Sequence, residues 1–315
     1  MSTFELTRPR KDINFSGTAD PLNTTPAKVG QSYQNTTSGE IFHCTDDTGA
    51  VYTWMGTLGT QVLPLAAILT TDHPNLQVLY TMDSVDITGS TILDKSQYSR
   101  DGTLISSPTQ STGVIGDSLQ IETVSTLNDK GIYIPDSDFG VGNGGAAISV
   151  WFYKPGNWNP SIVTYYIVNR GSVYVRTAGL LTLSVYPRGA DGTIRYRFYA
   201  YGGNATSDAV AEFSDSGGST RYVDQWVHLV GTYSPNGELA IYLNGEKKTA
   251  YADRVGDTIV NPDTSGLWTG TTVGYANVAN DGNESRTWVG ELDQIRIFNR
   301  GVTPEEITAL YQEGL

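Results

Sequence analysis

Between Gln225 and Lys248 the chain reads QWVHLVGTYSPNGELAIYLNGEKK. Val227, Leu229 and Gly231 alternate with Trp226, His228 and Val230, the period of two that marks a strand. Leu239, Ile241 and Leu243 then alternate with Ala240, Tyr242 and Asn244. Pro235-Asn236-Gly237 and Asn244-Gly245 supply residues that preset φ or tolerate positive φ, so the pattern predicts two antiparallel strands and the start of a third. Further strands are predicted at Val78–Met82, Ser118–Ile121, Gly131–Ile134, Tyr165–Asn169, Leu180–Tyr186 and Thr193–Tyr201. Ala147–Tyr153 is an almost unbroken apolar run, which predicts a central strand covered on both faces. The polar stretch Gly202–Tyr222 reads as a connection. At the end of the chain Thr303, Pro304 and Glu306 form a helix start, with a capping box. Ile307, Leu310 and Tyr311 then fall on one helical face, and Gly314 stops the helix. The fold class expected is all-β, a two-sheet antiparallel sandwich with a short C-terminal helix.

The first 75 residues follow a different pattern. Residues 1–25 mix charge, Pro and Thr without period and read as an extended arm held by a partner chain or a neighbouring copy, or else lying on its own domain. Residues 26–58 predict a three-stranded meander at Gln31–Asn35, Glu40–Thr45 and Val51–Met55. Such a unit is too small to bury a core by itself and calls for a partner surface. The run VLPLAAIL in residues 59–75 is too short to span a bilayer and reads as a buried connector. Residues 76–315 are then the main domain.

Composition narrows the partners. The 315 residues carry a net charge of −13, which argues against nucleic acid and anionic membranes. Gly (35) and Tyr (19) are abundant, as turns and aromatic strands require. The single Cys44 excludes an intrachain disulfide. No stretch near Met1 has the build of a secretion signal, so the protein is expected either to stay intracellular or to be released by another route, such as assembly into a virus particle in the host cytoplasm and cell lysis. The N-x-S/T matches at Asn23, Asn35, Asn204 and Asn283 then carry no glycosylation.

The hairpin W-x-H-x-x-G-T-Y followed by L-x-I-Y-L-N-G resembles that of laminin-G-like, concanavalin A-type jelly rolls. The closing segment Gly290–Arg300 with Thr303–Ile307 resembles the family's last strand and helix. The stretch Ile92–Leu104 resembles the family's D-x-S-G-x-x-x-D-G-T-L loop, with Gln97 and Tyr98 in place of small residues. The segment PAKVGQSYQNTTSGEIFHCTDDTGAVYTWMG resembles short modules near the N-termini of tailed-bacteriophage structural and fibre proteins. That resemblance implies attachment to a particle or oligomerisation, and no chemistry.

Some relatives of this fold are glucanases with E-x-D-x-E or E-x-D-x-x-E, whose carboxylates stand about 5 Å apart across the scissile bond. Glu291-Leu292-Asp293 supplies two positions, but Ile295 and Arg296 occupy the alternatives for the third, so no enzyme activity is expected. His228 lies within the hairpin and reads as structural, and no G-x-S-x-G elbow surrounds a Ser. The family's calcium habit makes Asp94, Asp101 and Asp293 the candidate metal ligands, with Ca2+ as the candidate cofactor. Carbohydrate sites pair an aromatic platform with planar polar groups. Trp158 with Asn159, Trp268, and Tyr275 with Asn277, Asn280 and Asp281 offer that pairing in loops, while Trp151 and Trp226 read as core. The expected role is a bacteriophage virion surface protein, a capsid decoration or short fibre at the virion surface. Its expected partners are other virion proteins, sister copies in a homotrimer, and host-surface or environmental glycans. A cellular carbohydrate-binding module and a structural cementing protein without ligand are the alternatives.

Overall fold

A computed structural model describes residues 15–17, 32–35, 41–46, 53–56, 61–62, 68–121, 130–135, 139, 145–156, 165–170, 181–187, 193–201, 208–217, 221–234, 239–248, 251–254, 270–275 and 287–315. The chain divides into two compact units, Met1–Thr70 and Thr71–Leu315. In the first, β1 (Phe15–Gly17), β2 (Ser32–Asn35), β3 (Ile41–Asp46), β4 (Thr53–Gly56) and β5 (Gln61–Val62) form one sheet in chain order. The expected meander is β2 to β4. It gains a strand at each edge, because Phe15–Gly17 of the arm runs parallel to Tyr33–Asn35 and Gln61–Val62 pairs with Met55 and Trp54.

The second unit contains β6 (Leu76–Tyr80), β7 (Ile87–Thr88), β8 (Thr91–Ile92), β9 (Gly102–Ile105), β10 (Thr109–Thr112), β11 (Asp117–Ile121) and β12 (Gly131–Pro135). Next come β13 (Ala146–Tyr153), β14 (Tyr165–Arg170), β15 (Leu181–Pro187), β16 (Ile194–Tyr201), β17 (Asp208–Asp215) and β18 (Trp226–Tyr233). The chain ends with β19 (Leu239–Leu243), β20 (Glu246–Lys247), β21 (Tyr251–Arg254), β22 (Gly270–Val273), β23 (Gly290–Phe298) and α1 (Pro304–Gln312). Among the described residues one sheet has eight strands, ordered β10-β11-β23-β13-β18-β19-β20 with β6 also on β23. The other has ten, ordered β21-β17-β16-β15-β14-β22-β12-β9-β8-β7. Two such sheets face to face make an antiparallel jelly-roll sandwich.

Alternation decides what each strand gives to the core. Ile148, Val150 and Phe152 of β13 and Val227 and Leu229 of β18 face inward, against Leu183, Val185, Tyr196 and Phe198 of the ten-stranded sheet. Trp288 is sealed among them, 5.3 Å from Phe152 and 6.0 Å from Tyr165 between ring centroids. The sheets approach closely at Gly231, where a Cβ would stand 2.3 Å from Cδ2 of Phe198. The turn after β19 has the backbone its Asn-Gly pair requires, with φ of 52° at Asn244 and 77° at Gly245.

Part of the outward set of the eight-stranded sheet is covered by the C-terminal helix. Thr303 and Glu306 close the expected capping box. Tyr311 stacks on Trp151 at 5.6 Å, and Arg296 pairs with Glu313 at 2.8 Å. Trp151 is therefore buried, but beneath the helix rather than between the sheets. The stretch read as a connection, Gly202–Tyr222, contains β17, which pairs with β16 along eight residues. Ala209, Ala211 and Phe213 alternate there with Val210, Glu212 and Ser214, but the alanines are too small to mark an apolar face.

Candidate functional site

The ten-stranded sheet turns its polar side chains outward. On β15, Leu181, Leu183 and Val185 fill the core, so Thr182, Ser184 and Tyr186 point away from it. On β16, Ile194, Tyr196 and Phe198 do the same, leaving Arg195, Arg197 and Tyr199 on the outer face. Register then sets Tyr186 opposite Arg195, Ser184 opposite Arg197 and Thr182 opposite Tyr199. Glu212 of β17 stands opposite Arg197.

These side chains form one lattice. Glu212 accepts from Arg195 Nη1 at 2.7 Å through Oε1 and from Arg197 Nε through Oε2. The guanidinium of Arg197 lies over the Tyr186 ring, 4.5 Å from its centroid, which holds the fork flat. Burial pushes the Tyr199 hydroxyl above its ordinary pKa while Arg197 opposes, so Tyr199 stays a neutral donor at physiological pH. Beside them Thr182 Oγ1 donates to Asn169 Oδ1 at 3.1 Å. Among the described residues, Ser184 Oγ and Arg195 Nε on this face are buried without a partner. An unsatisfied buried polar atom costs about 1–3 kcal/mol, more for a charged group. The side chains of Arg195, Arg197 and Glu212 remain 19%, 21% and 14% exposed, so the lattice meets solvent. Planar forks, hydroxyls and aromatic rings on one surface are the groups that recognise sugars.

A smaller patch lies on the outer face of the other sheet. Trp226, Tyr153, Glu291 and Gln120 follow one another across β18, β13, β23 and β11. Each is half-buried, and the rings of Tyr153 and Trp226 lie 5.7 Å apart. Asp224 accepts from Tyr153 Oη at 3.2 Å and from Gly156 N at 2.7 Å. Trp226 is thus a surface aromatic, not a core one, because helix α1 covers Trp151 and leaves Trp226 half open.

The expected loop residues Trp158, Asn159, Trp268, Asn277, Asn280 and Asp281 lie outside the described residues. Tyr275 is only 3% exposed, and its carbonyl accepts from Thr272 Oγ1 at 2.6 Å, so its ring offers no platform to solvent. Of the candidate metal ligands, Asp94 and Asp101 share a loop. Asp94 is buried and accepts from Leu79 N, Ser96 N, Ser96 Oγ and Arg100 N, at 2.6–2.9 Å. Asp101 accepts from Asp94 N at 2.9 Å. Asp293 serves a different segment, taking Val114 N at 2.9 Å and Ile115 N at 3.0 Å on Oδ2 and Gln294 N at 2.7 Å on Oδ1. The three carboxylates do not converge, and no group of three or more metal-ligating side chains occurs among the described residues.

Ser149 Oγ and His228 Nε2 meet at 2.8 Å, like a nucleophile and its base. Both are buried beneath helix α1, and burial first, then Arg296, pushes the imidazole down to about 3. His228 Nδ1 has no partner among the described residues, so no carboxylate orients the ring.

A two-sheet jelly roll with a polar, aromatic outer face is a lectin-type scaffold. Residues 126–308, more than half of the chain, match the concanavalin A-like lectin/glucanases superfamily, and the chain belongs to that family. The fold is similar to the botulinum neurotoxin serotype G binding domain at 17% identity and a TM-score of 0.54, covering 76% of this chain and 51% of that one. The serotype D binding domain aligns at 14% identity and a TM-score of 0.52, over 76% and 52%. The binding domain of botulinum neurotoxin DC, solved in complex with SialylT, aligns at 12% and 0.53, over 77% and 52%. The chain spans about half the length of these domains, and at such identities the likeness is one of fold. No curated protein sequence matches the chain.

Proposed function

We propose that this protein binds glycans through the outer face of its ten-stranded sheet, as a surface protein of a bacteriophage virion, a capsid decoration or short fibre. The observation that carries the binding role is the lattice of Tyr186, Arg195, Arg197 and Glu212. Its side chains are paired and pre-oriented, yet partly open to solvent. Preorganised planar donors lose little freedom when a ligand arrives. The related neurotoxin DC domain in complex with SialylT supports the same use of the fold. The virion role is supported by the N-terminal segment, which resembles phage structural modules and forms its own compact unit. Its small sheet favours assembly with sister copies as a homotrimer, which would multiply weak single-site affinity.

Binding rather than hydrolysis is the role we assign, since Glu291 is engaged by Ser118 Oγ at 2.6 Å and Asp293 by three backbone N–H groups. A glycan array probed with the full-length protein tests the reading. Retention that is lost on Arg197→Ala supports it, and a blank array with folded protein overturns it. Mass spectrometry of purified phage particles tests the location, and absence from every particle fraction would remove the virion role.

A further inference from the structure

Resting on the glycan-binding role proposed above, we infer that the ligand is acidic: a saccharide whose oxyanion groups dock on Arg195 and Arg197. Charge is the first reason. Among the described outward side chains of β14 to β17, the charged ones are Arg195, Arg197 and Glu212, so two cations share one anion. Around Arg195 and Arg197 the described side chains thus carry more positive than negative charge, in a chain whose net charge is −13.

Hydrogen-bond capacity is the second reason. Both carboxylate oxygens of Glu212 already accept from guanidinium groups, and Asn169 Oδ1 accepts from Thr182. Each of these acceptor oxygens is therefore already engaged by a donor. One donor is not engaged: Arg195 Nε has no acceptor, while Nη1 of the same group is held by Glu212. The hydroxyls of a neutral sugar need acceptors as well as donors, whereas an ionised carboxylate or sulfate only accepts. The Nε–Nη2 edge of a guanidinium matches two such oxygens at once. With Nη1 held by Glu212, the Nε of that edge lies buried without an acceptor. A small rotation of its partly exposed side chain would bring Nε to an arriving oxyanion. Arg197, fixed over Tyr186, supplies the second positive group two residues along the same strand.

Calorimetric titration of the full-length protein decides the matter, with an oligogalacturonate, a heparin-derived oligosaccharide and a neutral maltooligosaccharide as probes. At least one acidic probe is expected to bind about tenfold or more tightly than the neutral one, since a charge-assisted pair is worth about that factor. Preference for oligogalacturonate identifies a carboxylate ligand, and preference for the heparin fragment a sulfated one. Added salt should weaken acidic binding and leave neutral binding unchanged. Arg195→Gln should lower acidic affinity about tenfold while the melting temperature stays near that of the wild type. Arg197→Lys, which keeps the charge and loses the fork, should lower it as well. Equal affinity for acidic and neutral probes, or acidic binding indifferent to salt and to both variants, overturns the inference and leaves glycan binding standing. No binding to these probes together with a blank array removes the glycan-binding role itself. If Arg195→Gln does not fold, the salt series and Arg197→Lys decide between these outcomes.

Discussion

Asp293→Asn separates a structural carboxylate from a metal ligand. Asp293 is fully buried and accepts three backbone N–H groups, two of them from the loop between β10 and β11. Burial outweighs those donors and pushes its carboxyl from 3.8 up to about 7. The folded form therefore holds the proton more tightly than the unfolded chain, and stability present at low pH is lost as the pH rises from about 4 through about 7. Roughly three units at about 1.4 kcal/mol each set a ceiling of about 4 kcal/mol. Val114 and Ile115 are half-buried, so water reaches the loop and about 2 kcal/mol is the expected size. His228 works in the opposite direction: its pKa falls from 6.5 to about 3, so its contribution is lost as the pH falls through that window. The amide cannot titrate, and His228 is common to both proteins, so the difference between them isolates Asp293. Urea unfolding at several pH values should show the wild type losing about 2 kcal/mol relative to Asp293→Asn between about pH 4 and about pH 8. A difference that is flat, or that grows in favour of the wild type as the pH rises, would refute the reasoning. It would mean that the N–H groups stabilise the anion more than burial opposes it. A calcium-dependent rise in melting temperature, abolished by the same change, would restore the metal reading.

Other consequences are simpler. Gly231→Ala drives a Cβ to 2.3–2.7 Å from three atoms of Phe198 and should cost about 2–3 kcal/mol in denaturant unfolding, with partial recovery on adding Phe198→Leu. Thr303→Ala removes the capping box of α1 and should cost about 1 kcal/mol, read as a lower melting temperature. Arg197→Ala should abolish glycan retention while changing stability by no more than about 1 kcal/mol, because its ion pair is solvent-accessible. Light scattering of the full-length protein should give three times the chain mass, and a monomer would remove the trimer.

Local rules made the hairpin legible. β18 and β19 fall where period-two alternation and the Asn-Gly turn put them, because both signals act over a few residues. The helix start was legible for the same reason. β17 was not, since its alanines mark no apolar face and its support comes from β16 and β21 on either side. The candidate site was lost with it. Arg195-x-Arg197 is visible in the sequence, but its partner Glu212 sits on the strand that read as a connection. Asp94 and Asp293 show another limit. An acidic residue in a loop reads as a candidate cation ligand until the backbone N–H groups that fill its oxygens are known.

The same alternation explains why the two outer faces of the sandwich have different uses. Every strand that sends Leu, Ile or Val inward must send its other side chains out. On β13, β18 and β23 those side chains include Ser149, Trp151, His228 and Arg296, with Tyr153, Trp226 and Glu291 left half-buried. The first four are too apolar, or too costly to leave half-paired, to stand in water, and α1 seals them with Ile307, Leu310 and Tyr311. On β15, β16 and β17 the outward side chains are Thr182, Ser184, Tyr186, Arg195, Arg197 and Glu212; Arg195, Arg197 and Glu212 pair with one another and stay partly open to solvent, while Thr182 and Ser184 are buried. A face sealed by its own helix is spent on stability. The proposed glycan binding falls to the other sheet, where the pairing that keeps the forks ordered also leaves Arg195 one donor short of an acceptor.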